Sequence, residues 1–120
     1  MVEFFAWETR VREYLISLFQ DGWTIVNTGV SGVSLRVNPY MRCAELIVTT
    51  SPTFTSSSTK WTDIGTVSAI KNTYTPKQIL YFSSADPVTE MRLTTDGVVQ
   101  YKSTRTSSSY AVHSQVVYFY

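Results

Sequence analysis

The sequence predicts a mainly β protein, an antiparallel β-sandwich or jelly-roll-like head preceded by one N-terminal α-helix. Three observations carry this. Apolar residues recur with a helical period up to Gln20 and with a period near two after Gly22. Short alternating runs then follow one another at roughly 8–12-residue intervals, separated by turn residues. Finally, Ser and Thr make up roughly a quarter of the chain, and only 16% of it is charged against an average of about 25%. A surface of hydroxyls suits strands better than surface helices.

The helix comes first. Phe4, Trp7, Val11, Tyr14 and Leu18 recur at alternating spacings of three and four, the apolar stripe of a heptad. Glu8 and Arg12 form an i,i+4 pair in the favourable order. Asp21-Gly22 ends the segment, with Gly22 placed to take a left-handed C-terminal conformation. A helix this short is marginal alone. It must pack either on copies of itself or on the face of the β domain. The chain therefore divides into a stem, 1–21, and a head, 22–120.

The strands follow. "WTIVNTG" and "VSLRVN" are short strands around Gly29 and Gly32. "YMRCAELIVTT" alternates with Met41, Cys43, Leu46 and Val48 as buried candidates, and its phase slip at Ala44-Glu45 suggests a bulge. "SPTFTSSST" reads as a polar loop. "KWTDIGTVSAI", "QILYFSS", "EMRLTT" and "VVQYKS" are the next strands. "TTDGVV" is the clearest hairpin, with Asp96-Gly97 suited to a type I′ turn. A second polar loop, "STRTSSS", precedes the long closing strand "YAVHSQVVYFY". That makes about eight strands, the pattern of a sandwich.

Composition narrows the chemistry. The net charge is +1 and the Lys and Arg residues are scattered, so the basic footprint of a nucleic-acid binder is missing. Cys43 is the single cysteine, which excludes an intrachain disulfide and reads as a small buried strand residue. No apolar run is long enough to cross a bilayer, and the acidic Glu3 and Glu8 do not fit a signal peptide. His113 is the only histidine, and with one cysteine it makes poor material for a zinc site; no metal or other cofactor is expected. There is no G-x-S-x-G, no phosphate loop and no dinucleotide fingerprint. Asp96 and Asp86 are explained by turns. Asp63 and Glu90 remain, with no spacing to unite them as a catalytic pair, so no enzyme is expected.

The aromatic residues are the richer signal. Trp23, Trp61, Tyr74, Tyr81, Tyr101, Tyr110, Tyr118 and Tyr120 are spread over the strands and their ends. Most such residues fill cores or interfaces, but an exposed ring can stack on the apolar face of a sugar. Trp61, after a polar loop and close to Lys60 and Asp63, is the best platform. "RTSSSYAVH", Arg105 to His113, spans the other polar loop. Loops at one end of a sandwich can converge. The candidate saccharide site is therefore Trp61, Asp63, Arg105, Tyr110 and His113. Asp63 and Arg105 would hold hydroxyls, and His113 would be a neutral donor.

The landmarks in order resemble a known family. "DGW" follows the helix; "YMR…ELIV", "WTDIGTV", "YTP", "MRLTTDGVVQY" and a final aromatic strand come after it. This succession is similar to the C-terminal head domain of phage tail-fibre and baseplate receptor-binding proteins. The resemblance covers nearly the whole chain through short motifs. It implies a homotrimeric β-sandwich head on a helical stem, carried on the phage tail tip or baseplate and contacting its other proteins. It also implies binding of a bacterial surface polysaccharide outside the host cell; from the charge and hydropathy above, no nucleic acid and no membrane insertion are expected. The matching residues are turn and core positions, so no sugar-contacting residue carries over.

Overall fold

The computed structural model describes residues 2–120; the side chains of residues 2–8, 18 and 19 lie outside that description. Helix α1 covers Val2–Asp21. Eight strands follow: β1 (Thr24–Val26), β2 (Val33–Asn38), β3 (Cys43–Thr50), β4 (Thr62–Thr66), β5 (Leu80–Ser83), β6 (Thr89–Leu93), β7 (Val98–Ser103) and β8 (Val112–Phe119). They form two antiparallel four-stranded sheets. The first has the order β1-β2-β3-β8, a meander with the last strand added beside β3. The second has the order β4-β7-β6-β5, a Greek key in which β4 lies beside β7.

The core sits between the sheets because alternate residues of both point inward. Leu35, Val37, Leu46 and Val48 come from the first sheet, and Met91, Leu93, Val99 and Tyr101 from the second. Two devices close the sides of the sandwich. On one side the amide of Ala85, just after β5, donates to the carbonyl of His113 on β8 at 2.8 Å, and the Ser114 hydroxyl donates to the Ser83 carbonyl. On the other, Val30 in the β1–β2 loop lies against Gly65 of β4, where a Cβ would fall 2.7 Å from a Val30 methyl.

Helix α1 does not lie on the sandwich. Thr9 to Ser17 are all exposed, Val11, Tyr14, Leu15 and Ile16 among them. The molecule measures 67 × 29 × 22 Å, as a projecting rod of twenty residues requires. Of the stripe, Val11 and Tyr14 are described; Phe4, Trp7 and Leu18 lie outside the described side chains, as does the Glu8 partner of Arg12. Gly22 is absent from the positive-φ glycines, so the helix ends without the left-handed cap that the sequence suggests.

Four other local expectations change. The predicted bulge at Ala44-Glu45 is not there: β3 keeps one register against both neighbours, and Cys43 is simply buried in addition to the inward series Ala44, Leu46, Val48. The register shift falls instead in β4, between Asp63 and Gly65. "KWTDIGTVSAI" is not one strand, because β4 stops at Thr66 and a short helix, α2 (Ser68–Asn72), buries Ile70. The polar loop 51–59 hides an anchor, Phe54, which is buried edge-on against Tyr101 at 5.7 Å; the loop ends in a 3-10 turn, Ser56–Thr59, capped by Thr55.

The β6–β7 hairpin is present, but its turn is not type I′. Only Gly97 has positive φ, at 79°. The Gly97 amide donates to the Thr94 carbonyl at 3.0 Å, and the Thr94 amide to the Val98 carbonyl at 3.0 Å. This is a three-residue loop closed by a glycine in the left-handed region.

Candidate functional site

The two sheets have very different outer faces. On the second sheet the register aligns one row across all four strands: Asp63 opposite Gln100, Gln100 opposite Arg92, and Arg92 opposite Tyr81. The row is chemically connected. Gln100 Nε2 donates to Asp63 Oδ1 at 2.6 Å, so its Oε1 must face Arg92, whose Nε donates to it at 2.5 Å. The amide is therefore fixed at both ends. Trp61, just before β4, lies on the same face. The Arg92 guanidinium stacks on its ring 4.4 Å from the centroid, and the Lys102 ammonium is 5.9 Å away. The Tyr81 ring stands beside it, 5.9 Å between centroids and tilted by 56°. Glu90 is exposed opposite Lys102. An open cleft of ≈ 650 Å³ adjoins Tyr81, lined also by Ser83, Pro87 and Glu90.

Trp61 and Asp63 thus belong to one surface, as the sequence suggests, but the roles shift. Trp61 is half-buried, with Arg92 stacked on it, whereas Tyr81 is 65% exposed and is the open ring of the face. Arg92, Gln100, Tyr81, Lys102 and Glu90 are missing from the sequence-derived set.

Arg105 and Tyr110 form a separate cluster. Asp86 is only 1% exposed and accepts Arg105 Nε at 2.7 Å on one oxygen and Nη2 at 3.2 Å on the other. The Thr89 hydroxyl adds a third bond, at 2.8 Å, and the Val88 amide a fourth, at 3.4 Å. The Arg105 hydrogen bonds hold the Asp86 carboxyl below its usual range against the opposing effect of burial. The Arg105 guanidinium then stacks on Tyr110, 4.1 Å from the ring centroid. Through Nε and Nη2, Arg105 ties the 104–111 loop to the β5–β6 turn. His113 lies in β8 of the first sheet, opposite Thr49 and exposed. The structure therefore brings Trp61 and Asp63 together, and Arg105 and Tyr110 together, with His113 on a strand of the other sheet.

The outer face of the first sheet carries Ile25, Ile47, Val117 and Phe119 around an Arg36–Glu45 ion pair at 2.8 Å, with Arg36 also stacked on Trp23. Cys43 is buried, and burial pushes its thiol pKa up, which makes it a poor nucleophile. Among the described residues, no group of His, Cys, Asp and Glu side chains could hold a metal ion. Among the described residues, no helix is long and apolar enough to cross a membrane. No protein-family model, curated protein or solved structure matches the chain.

Proposed function

We propose that the chain is the host-recognition head of a phage tail or baseplate, a non-enzymatic homotrimer that attaches to a bacterial surface saccharide. The observation that carries this reading is the exposed helix projecting in front of a closed β-sandwich. An isolated helix of this length is not self-sustaining in water, and an exposed stripe containing Val11 and Tyr14 is one that copies of itself would cover. Three copies joined through their stems present three heads to one surface. Weak attachment by each head then becomes firm attachment by the particle. The sequence resemblance points the same way.

A second reading is a structural module of the same particle, trimeric but binding no sugar. The exposed apolar residues on the outer face of the first sheet favour it, since Ile25 is 86% exposed and Phe119 67%. A glycan-cleaving activity has less support: Asp63 and Glu90 share a face, but that face is open and Asp63 is bonded to Gln100. Labelled protein tested on a panel of bacterial strains, with its mass taken by light scattering, decides between the first two readings. A trimer that binds particular strains supports host recognition. A trimer that binds none supports the structural role, and a monomer removes the basis of both.

A further inference from the structure

We propose that the outer face of the second sheet is a flat platform for a linear, uncharged oligosaccharide, with Tyr81 as the ring on which a sugar stacks. This rests on the saccharide-binding reading above and assigns the site within it. Four strands at the usual spacing give a row about 14 Å across from Asp63 to Tyr81. Such a row is long and open, and suits a run of sugars better than one enclosed sugar. Tyr81 offers an exposed aromatic face. Trp61 underlies the platform: stacked with Arg92 and beside Tyr81, it holds the guanidinium in place.

Sugar hydroxyls both donate and accept, and the platform supplies partners of both kinds. Arg92 Nε is used by Gln100, which leaves the terminal guanidinium nitrogens as donors. Lys102 adds a further donor, while Asp63 Oδ2 and the Glu90 carboxylate are acceptors. Two cations thus interleave with two carboxylates. A polyanionic chain laid along the row would meet Asp63 and Glu90, whereas a neutral one meets no like charge. The Gln100 relay fixes Arg92 before any ligand arrives, so little ordering is needed on binding.

The test uses the full chain and cell-wall polysaccharide from a bacterium that it binds, hydrolysed and separated by size and charge. Titration is followed by amide chemical shifts and by calorimetry. Neutral fragments should bind, single sugars too weakly to saturate, with affinity rising with length to a plateau. The shifts should concentrate on β4 to β7. Tyr81→Ala should weaken binding about tenfold and Tyr81→Phe should stay near the parent, because the ring supplies the contact. Tyr81 is exposed, so an unchanged melting temperature is the control for folding. Binding that leaves β4–β7 unshifted, or that Tyr81→Ala does not alter, overturns the platform and leaves the saccharide reading standing. Binding confined to acidic fragments overturns the uncharged ligand. Failure of the polysaccharide to bind at any size overturns the platform and the saccharide reading together.

Discussion

Single residues set the local geometry, and two of them make sharp predictions. Gly97 sits at φ 79° with Val67 O only 2.6 Å and Lys71 N 2.9 Å from where a Cβ would be. Both a strained backbone and a clash with the start of α2 follow from any side chain there. Gly97→Val should lower stability by about 1–3 kcal/mol or more, read as a fall in melting temperature. Asp86 contributes to the response to acid. Its folded pKa is depressed by Arg105, so its contribution is present above the unfolded carboxylate value of about 3.9 and is lost as pH falls through the folded value. The melting temperature should drop on acidification below about pH 4 in the parent. Asp86→Asn should be less stable at neutral pH and show a shallower acid limb. Arg105→Ala should leave the carboxylate buried without its cation, lower the melting temperature and raise the pKa of Asp86.

At the level of elements, the proposed assembly rests on α1, and closure of the sandwich rests on loop-to-strand contacts. Val11→Asp places a charge in the exposed stripe and should shift the mass measured by light scattering from three times 13.6 kDa toward the monomer at micromolar concentration. Gly65→Val should displace Val30 and cost about 1–3 kcal/mol in a denaturant titration, because Val30 methyls lie 2.7 and 2.9 Å from the new Cβ. Much of this level was legible in the sequence. The strands showed through alternation, and the 94–98 hairpin through Asp-Gly. Helix α2 was not legible, because Val67 supplies no side-chain cap and five residues are too few for a period to register. Phe54 was hidden by the hydroxyl-rich composition around it. The Gln100–Arg92 and Lys102–Glu90 pairs follow from alternation outward from the Thr94–Val98 closure, a signal present in the strands and not in the loops. The Arg105–Asp86 pair was not legible for the opposite reason. Its partner, Asp86, looked fully explained by its turn, and only the fold brings the two together across nineteen positions of sequence.

As a whole, the molecule is a rod joined to a closed sandwich whose two outer faces differ in chemistry. One face gathers Ile25, Ile47, Val117 and Phe119 around the Arg36–Glu45 ion pair, and the other is an aromatic and polar row that already makes its internal hydrogen bonds. In the proposed reading the stem would set the number of copies, while the sandwich supplies a rigid support and the polar row a surface suited to hydroxyls. The most direct test of this account is titration of the full chain against a panel of purified bacterial surface polysaccharides, before and after periodate cleavage of their vicinal diols. The account predicts saturable binding to at least one polysaccharide, abolished by periodate. Binding to none, or binding that survives loss of the diols, would contradict it.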